Sequence, residues 1–310
     1  MNDILSLMLP ELILLVGAAA VLLVGVTRNE TVRAISSPLA VLTVFVALVT
    51  AWYNAPVTPA EPVAGLRFSN LAWYVRLIGL GIGLLVVLLH LHLPARGQRG
   101  EVFGMILFSL AGILLTSLAD DLVVLFLAIE LVSIPTYVLV SISRSDIRAQ
   151  EAGVKYFFLG AMSAALLVYG FSFLYGASGT TVMSRMALSP PGGLATIGLL
   201  LAFAGVAYKI AAVPFHVYAP DVYQGAASPV TGLLGFFPKL AGFVALIKLL
   251  LLIQPAGGAG SGWQLPASGF IFLWVVSALT MTVGNVIGLM QHNVKRMLAY
   301  SSIAHSGYML

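Results

Sequence analysis

The sequence predicts an all-α protein that crosses a membrane about ten times, and its composition and its repeated apolar stretches indicate this fold class. Of the 310 residues, 60% are hydrophobic and 8% are charged, and the mean hydropathy is +1.04. Stretches of about 20 mostly apolar residues, the length that a membrane-spanning helix needs, recur along the whole chain. The gaps between them are short and contain Gly, Pro and polar residues, so a polytopic helix bundle without a soluble domain is expected.

The membrane spans can be placed in order from these apolar stretches. The first span carries Asp3 and Glu11 where a secretory signal would be basic, and it stays apolar too long for such a signal, so it is predicted to be retained. Loops rich in Pro or Gly are expected at 54–68 and 254–267. The predicted spans are 5–26, 35–53, 69–93, 101–118, 121–143, 153–176, 194–217, 228–253 and 268–290, with a tenth from residue 294.

Residue counts exclude several kinds of site. The chain has no cysteine, which rules out structural disulfides, thiolate zinc sites and iron–sulfur ligation within it. His90 and His92 diverge on a helix beside a basic loop, which favours an interfacial position over a metal site. The formal charge is +4, but the basic residues are scattered among short loops. A lipid bilayer is therefore the expected environment, and no nucleic-acid partner is expected.

The distribution of Lys and Arg among the loops predicts the orientation in the membrane. When alternate loops are taken together, one side receives eight of these residues: Arg28, Arg33, Arg96, Arg99, Arg144, Arg148, Lys295 and Arg296. The other side receives only Arg67 and Arg185. Because cytoplasmic loops carry the excess of positive charge, the first side is predicted to be cytoplasmic and the N-terminus periplasmic. The cytoplasmic loops would be 27–34, 94–100, 144–150 and 291–296.

Four ionisable side chains lie inside apolar stretches: Glu130, Lys155, Lys209 and Lys239. Placing a charge at the centre of a spanning helix costs roughly 2.5–3.5 kcal/mol on insertion scales, so such residues mark ion or proton pathways by default. Lys239 would lie roughly 16 Å into its helix, and Glu130, the only carboxylate expected at depth, roughly 12 Å into its own. Lysine releases its proton more readily than arginine when it is buried, and a sodium site would need clustered carboxylates, so the pattern favours proton relay.

Prolines accompany three of these charges. They are Pro135, Pro214 and Pro238, each within five residues of Glu130, Lys209 or Lys239. A proline removes a backbone hydrogen bond, and such a break survives in a membrane only where neighbouring helices or water satisfy the freed groups. A charge beside a broken helix is what a hydrated path through the protein requires. The alternative is that the prolines only kink the helices for packing.

Three further positions each have two interpretations. Lys155 lies a few residues inside its helix, so it either takes part in the relay or snorkels to the cytoplasmic surface. His216, seven residues after Lys209, would share its helical face as an inlet relay, or form a structural hydrogen bond in the loop. His305 lies in a polar stripe that either carries protons or binds helices together. The stripe also contains Ser301, Ser302, Ser306 and Tyr308.

Four segments of the chain carry a specific family resemblance. They are FLAIELVSIPTYVL (126–139), EAGVKYFFLGAMSAALLVYGFSFLYGASGT (151–180), YKIAAVPFHVYAPDVYQGAASPVTGLLGFFPKLAGF (208–243) and NVKRMLAYSSIAHSGYML (293–310). With them the chain resembles the antiporter-like membrane subunits of proton-pumping NADH:quinone oxidoreductase (respiratory complex I), and most of all the N-type subunits. The segments cover most of residues 120–310, whereas the first three helices match only in character.

The resemblance implies a role for each buried charge. Glu130 would be the glutamate of the fifth helix, and Lys155, Lys209 and Lys239 would be the lysines of the sixth, the broken seventh and the eighth helix. They would relay protons, driven by quinone reduction elsewhere in the complex. This chain would hold no cofactor, and FMN and the iron–sulfur clusters would belong to other subunits. Its partners would be other membrane subunits of complex I, in a bacterial inner membrane.

The resemblance also implies a division of the chain, because the family is built from two inverted five-helix repeats. Residues 1–100 would form an N-terminal three-helix segment, 101–254 the first repeat, and 255–310 the start of a second, truncated repeat. We interpret the sequence as a fragment, because an open hydrophobic face would otherwise meet lipid beside buried charges.

Two other functions stay open at this point. A subunit of a multi-subunit cation/proton antiporter would share the glutamate and the lysine of the broken helix, and sodium-dependent transport without quinone activity would identify it. A structural membrane subunit without its own channel would tolerate neutral replacement of Glu130 and Lys209, which their insertion cost argues against.

Overall fold

The protein is a bundle of α-helices, seen in a computed structural model that describes residues 2–54, 62–91, 99–144, 146–186, 188, 192–253 and 267–310. The predicted loop at 254–267 lies almost entirely outside the described residues, and of the loop at 54–68 residues 55–61 lie outside them. In chain order the helices are α1 (Asn2–Leu7), α2 (Leu9–Val26), α3 (Glu30–Ala34), α4 (Ser36–Tyr53), α5 (Asn70–His90), α6 (Arg99–Leu118), α7 (Leu122–Ile142), α8 (Ile147–Ser178), α9 (Gly193–Lys209), α10 (Ala219–Gly225), α11 (Ser228–Leu251), α12 (Ala267–Leu289) and α13 (Val294–Met309).

Most of these helices have the length and composition of membrane spans. In the described part of the chain, eight helical segments are long and apolar enough to cross a membrane, with α3 and α4 counted as one. Helix α9 is a shorter apolar helix of 17 residues, and α13 occupies the predicted tenth segment. The prediction of an all-α, multi-pass membrane protein is confirmed.

Two helix starts differ from the predicted spans for reasons that the local sequence explains. The first span is interrupted at Met8, and α2 begins at the next residue with Pro10 in its first turn, where a proline removes no helical hydrogen bond. Helix α8 begins at Ile147, six residues before the predicted start. The Asp146 side chain caps it there by accepting a hydrogen bond from the Ala149 amide at 2.9 Å.

The seventh predicted helix is broken, but earlier than the sequence suggested. Helix α9 ends at Lys209, and the chain runs through an irregular turn until α10 begins at Ala219. The prediction that the helix continues to a break at Pro214 is therefore wrong, because the helix ends five residues before that proline. As a consequence, His216 does not follow Lys209 along one helical face.

A Schellman motif ends α9 and explains why the helix stops ahead of the proline. The Ala212 amide donates to the Ala207 carbonyl at 2.8 Å, and the Ala211 amide donates to the Tyr208 carbonyl at 3.0 Å. These two bonds satisfy carbonyls that a helix end would otherwise leave unpaired. Ala211 takes the place of the usual glycine at a left-handed φ of 57°, a conformation that costs an L-residue roughly 1–2 kcal/mol. The motif leaves Lys209 at a helix C-terminus inside the bundle.

The turns between helices gather at two ends of the bundle that differ in charge. At one end, named the basic end below, Gly25 of α2 packs on Gly100 of α6, and Arg148 and Lys295 line one cavity. Its described basic residues include Arg28, Arg33, Arg99, Arg144, Arg148, Lys155, Lys295 and Arg296. At the opposite end, Arg67 lies 3.9 Å from Asp120. This grouping follows the predicted alternation of loops, although Arg96, His92 and the loop at 94–98 lie outside the described residues.

We expect the basic end to face the cytoplasm, and cysteine labelling can measure this because the chain has no cysteine of its own. In a Glu30→Cys variant the thiol should be inaccessible to a membrane-impermeant maleimide in intact cells and should react after the cells are opened. In an Arg185→Cys variant it should react in both cases. Both positions are exposed, and neither change weakens the charge asymmetry. Labelling of residue 30 in intact cells would reverse the predicted orientation.

Candidate functional site

A buried ion pair joins α7 to the end of α9. The Lys209 Nζ lies 3.1 Å from Glu130 Oε1, and the side chains are 4% and 16% exposed. The same ammonium donates to Ser133 Oγ at 2.7 Å and to Tyr137 OH at 3.3 Å. Two of the four intramembrane charges predicted from the sequence are thus in direct contact. Each hydrogen of the ammonium has an oxygen partner.

The helix geometry explains why these groups converge. Glu130, Ser133 and Tyr137 follow one another at spacings of three and four residues, so they share one face of α7. Lys209 approaches this face as the last residue of α9, where the helix dipole favours a cation. The end of α9 therefore positions the Lys209 ammonium, and the helical spacing of residues on α7 positions the oxygens that bind it.

The other two prolines do not break their helices. Helix α7 continues through Pro135 from Leu122 to Ile142, and α11 continues through Pro238 from Ser228 to Leu251. The prediction of a broken helix beside each of the three charges is therefore wrong for Glu130 and Lys239. A proline removes one hydrogen bond from a helix, and packing on the neighbouring helices holds the remaining turns in place.

Four tyrosines fill the space between the ion pair and α10, and the sequence analysis missed them. The ring of Tyr137 meets the edge of Tyr156 with centroids 4.6 Å apart, and Tyr218 stacks on both Tyr156 and Tyr208. The Tyr208 hydroxyl donates to the Tyr156 carbonyl at 3.0 Å, and the Tyr218 hydroxyl donates to the Tyr208 carbonyl at 2.9 Å. Hydroxyls in apolar helices were the available signal, because buried phenols need hydrogen-bond partners.

Lys239 lies in a second polar site, formed by hydroxyl groups of α13. Its Nζ donates to Ser302 Oγ at 2.7 Å, to Ser306 Oγ at 2.8 Å and to the Ser302 carbonyl. The two serines are four residues apart and share one face of α13. Among the described residues, no carboxylate pairs with Lys239. The buried lysine is thus solvated by neutral oxygens.

Helix α11 brings the two lysine sites close together. Gly242 packs directly against Lys209, since a Cβ added at the glycine would lie 3.3 Å from the Cβ of the lysine. Lys239 precedes Gly242 by one helical turn on the same helix. The α9 lysine and the α11 lysine therefore belong to one region of the bundle interior.

Lys155 lies at the basic end and not in the interior. Its side chain is 43% exposed and forms ion pairs with Glu151 at 2.7 Å and Asp221 at 3.0 Å. Asp221 also pairs with Arg296 at 2.6 Å, so α8, α10 and α13 meet at this carboxylate. Partial burial raises the pKa of Asp221, but hydrogen bonds from Lys155 and Arg296 outweigh burial and hold it below its usual value.

The histidines singled out from the sequence do not contact the buried lysines. His216 is half-buried in the turn between α9 and α10, and its Nδ1 has no partner among the described residues. His305 is exposed beside Tyr308, with ring centroids 5.5 Å apart. His90, which the sequence suggested at the interface, is instead buried, with its Nδ1 2.8 Å from the Val86 carbonyl.

A second buried ion pair lies in the N-terminal helices, where the sequence analysis expected no deep carboxylate. Arg76 of α5 binds Glu11 of α2 through two hydrogen bonds of 2.8 and 2.9 Å. The guanidinium also donates to the Leu7 carbonyl and lies over the ring of Phe68. Both charged side chains are buried within the bundle, although Glu11 lies in the first turn of α2 and not in the middle of a span.

Removing one partner of this second pair should destabilise the protein. An Arg76→Leu variant leaves the Glu11 carboxylate buried without a counter-charge, a loss of about 3–5 kcal/mol. We expect a lower melting temperature of the purified protein, and partial recovery in the double variant Glu11→Leu, Arg76→Leu. The matched control is Arg67→Leu, which removes an arginine that is half exposed and only loosely paired. Equal melting temperatures for Arg76→Leu and the wild type would contradict the buried pair.

Among the described residues, no group of three or more His, Cys, Asp or Glu side chains is arranged to hold a metal ion.

Comparison with known proteins identifies the family. Residues 119–310 match the family described as NADH:quinone oxidoreductase/Mrp antiporter, TM. The chain belongs to this family. The matched region contains the Lys209–Glu130 pair, Lys239 and its serines, and the cluster around Asp221. The resemblance predicted from the four sequence segments is therefore confirmed.

Individual family members match nearly the whole chain. A protein named NADH-quinone oxidoreductase subunit N from Trichlorobacter lovleyi is 39% identical over 317 aligned positions, covering 99% of this chain and 63% of the relative. The protein of the same name from Myxococcus xanthus is 41% identical over 315 positions, covering 98% and 59%. A chain of respiratory complex I from Thermus thermophilus with bound aureothin has 30% identity and a TM-score of 0.80, covering 97% of this chain and 63% of that one. The present chain thus spans about 60% of the length of these relatives.

Proposed function

We propose that the chain is an N-type subunit of NADH:quinone oxidoreductase and moves protons across the membrane. The observation that carries this proposal is the Lys209–Glu130 ion pair, held at 3.1 Å in the interior beside the break between α9 and α10. Membership of the family and the names of two relatives support the assignment to an N-type subunit. A buried and exchangeable proton carrier is what translocation through a helix bundle requires.

Lys209 holds an exchangeable proton, and whether it keeps this proton depends on the charge and position of the Glu130 carboxylate. Glu130 supplies the counter-charge that the Lys209 ammonium needs in a medium of low dielectric constant. When the carboxylate is protonated or moves away, the ammonium is left uncompensated and proton release becomes favourable. Ser133 and Tyr137 both accept a hydrogen bond from the ammonium. The Ser133 hydroxyl itself donates to the Ile129 carbonyl, so the Tyr137 hydroxyl provides the next position for the proton.

Lys239 is the second carrier in this scheme. Its ammonium is held by the hydroxyls of Ser302 and Ser306 without a carboxylate among the described residues, so a charge on it is less well compensated than the charge on Lys209. A proton that Lys239 receives from Lys209 is therefore held only briefly, and Lys239 can pass it onward through the Ser302 hydroxyl. The packing of Gly242 against Lys209 keeps the two sites in one region.

In this proposal Lys155 has its role at the surface of the protein and not in the interior relay. It holds Asp221 against α8 at the basic end, where water is accessible, and the same carboxylate receives Arg296 from α13. His216 lies in the adjoining turn with an unpaired nitrogen and is a candidate inlet group. His305 is exposed on α13 and has no step in this scheme.

The remaining parts of the proposal concern the whole complex. Other membrane subunits would be the partners of this chain in a bacterial inner membrane, with the N-terminus in the periplasm. Quinone reduction would take place elsewhere, on subunits that carry FMN and iron–sulfur clusters. This chain would contribute proton transfer and no redox chemistry.

Inverted membrane vesicles that contain the protein test the proposal directly. NADH oxidation should drive proton uptake, measured by a pH-sensitive dye, and the uptake should not depend on sodium. A Lys209→Met variant should lose the proton uptake, whereas Lys248→Met, which changes a lysine that reaches the Ala119 carbonyl near the opposite end, should retain it. Sodium-dependent proton movement without NADH:quinone activity would instead identify a cation/proton antiporter subunit.

A further inference from the structure

A cavity at the basic end of the bundle has no role in the proposed function. It lies between the α7–α8 turn and the α12–α13 turn and has a volume of about 420 Å³. This volume falls in the range of about 300–1,000 Å³ that is usual for small-ligand sites. Its lining residues are Arg144, Arg148, Gln224, His292, Asn293, Val294 and Lys295.

The lining is basic, and part of its charge is uncompensated. Arg148 and His292 make no side-chain hydrogen bond or ion pair with any of the described residues. Lys295 donates to the Ala226 carbonyl at 2.7 Å and has no carboxylate partner there. Arg144 lies 3.9 Å from Asp146, and this is the one ion pair that the lining forms among the described residues. The cavity thus presents cationic groups that lack counter-ions.

Neighbouring carboxylates do not neutralise the cavity. A smaller adjoining pocket shares Arg148 and Gln224 with it and is lined by Glu151 and Asp221. Those two carboxylates are already engaged, Glu151 with Lys155 and Asp221 with both Lys155 and Arg296. The positive charge of the larger cavity is therefore available to a ligand.

Two helix N-termini add to the positive potential. Helix α8 begins at Ile147 and α13 begins at Val294, and both starts lie at the cavity. The N-terminus of a helix carries a partial positive charge and favours anions. The side chains of Asp146 and Asn293 cap the first amides, so the contribution of each helix is its dipole and not a set of free N–H groups.

Exposed apolar side chains lie beside the cavity. Val294 lines the cavity and is 64% exposed, and Leu298, one helical turn further into the span, is 54% exposed. Ile147 is exposed on the other side, next to Arg148. A soluble anion or an acidic peptide would leave these groups in water, whereas the acyl chains of a phospholipid would cover them.

We propose that this cavity binds the phosphodiester group of an anionic phospholipid, with Arg144 and Arg148 as its principal ligands and Lys295 and His292 at its edge. Guanidinium groups bind phosphate oxygens through paired hydrogen bonds, which suits a headgroup better than a point charge does. The lipid would tie the α7–α8 turn to the α12–α13 turn. The proposal does not depend on proton translocation or on the orientation of the protein.

Photo-crosslinking in nanodiscs tests the site at the level of peptides. The purified protein, within its complex, is placed in phosphatidylcholine with a small fraction of photoactivatable phosphatidylglycerol, and crosslinked peptides are mapped by mass spectrometry. Peptides that contain residues 144–148 or 292–298 should be labelled. The double variant Arg144→Gln, Arg148→Gln should reduce this labelling about tenfold or more, since each basic group near a membrane surface contributes to anionic-lipid binding. The control Arg28→Gln changes an exposed arginine of the same end and should have no effect.

Three further measurements distinguish an anionic phospholipid from a neutral lipid and from free phosphate. The double variant Arg144→Lys, Arg148→Lys, which keeps the charge, should retain much of the labelling. Photoactivatable phosphatidylcholine at the same fraction should label these peptides weakly. Equal labelling by the two lipids, or full labelling of the glutamine variant, would overturn the proposal. Complete displacement of phosphatidylglycerol by millimolar inorganic phosphate would also overturn it, because the site would then bind free phosphate and not a lipid.

Discussion

Replacement of Lys209 by methionine is expected to abolish proton translocation in an assembled protein. Methionine resembles lysine in length but carries no proton, so the site loses its exchangeable group. The Glu130 carboxylate then lies buried without its counter-charge, which costs about 3–5 kcal/mol and should lower the melting temperature. Glu130→Gln should likewise impair translocation, because the Lys209 ammonium loses the group that compensates it. NADH-driven proton uptake by membrane vesicles measures the first effect, and thermal unfolding of the purified protein measures the second.

The double variant Glu130→Gln, Lys209→Met separates the two roles of the pair. It removes both charges, so it should assemble at least as well as either single variant and still fail to translocate protons. Normal translocation by the double variant would disprove a Glu–Lys relay. If the two single variants had additive and unrelated defects, the residues would not act as partners. Lys209→Arg is the matched control, since arginine keeps the charge and the ion pair but does not release a proton, so it should be stable and inactive.

Lys239→Ala should leave the protein assembled and lower both proton translocation and the quinone reduction coupled to it. The serines that hold the lysine keep a partner after its removal, because the Ser306 hydroxyl already donates to the Ser302 carbonyl at 3.1 Å. Loss of a positioned proton carrier slows its transfer step by about 100-fold or more. Proton uptake and NADH:quinone activity, measured on the same vesicles, test both effects.

Lys248→Ala is the control for this prediction. It removes the other lysine of α11, whose ammonium donates to the Ala119 carbonyl near the opposite end of the bundle. We expect this variant to translocate protons normally. If the Lys239→Ala variant also translocated protons normally, Lys239 would have a role in packing only.

The interior charges could be predicted from the sequence because their cost is local. A lysine or glutamate in the middle of an apolar stretch is unfavourable whatever surrounds it, so Glu130, Lys209 and Lys239 were identifiable without a structure. The second interior pair was not. The pairing of Arg76 with Glu11 spans 65 positions of the chain and depends on how α2 packs on α5. Neither residue lies at the centre of its apolar stretch, so hydropathy alone gave no signal.

The backbone around the site shows a second limit of sequence reasoning. Three prolines near three charges suggested three broken helices, yet only the helix of Lys209 is interrupted, and a Schellman motif at Ala211 ends it before Pro214 is reached. An alanine in the left-handed region is not a sequence signal, because its conformation is imposed by the packing around it. The division of the chain at 100 and 254 into an N-terminal segment and two repeats stays a prediction.

The stacked tyrosines next to the ion pair have a consequence for energy conservation. A hydroxyl that donates to a backbone carbonyl ends a chain of proton transfers, because the carbonyl has no proton of its own to pass on. The phenols of Tyr208 and Tyr218 both end in this way, on the carbonyls of Tyr156 and Tyr208. Their rings also occupy space that water would otherwise fill. If the chain translocates protons as proposed, Tyr208 and Tyr218 therefore carry none of them onward, and their rings exclude the water through which protons would otherwise leak across the membrane.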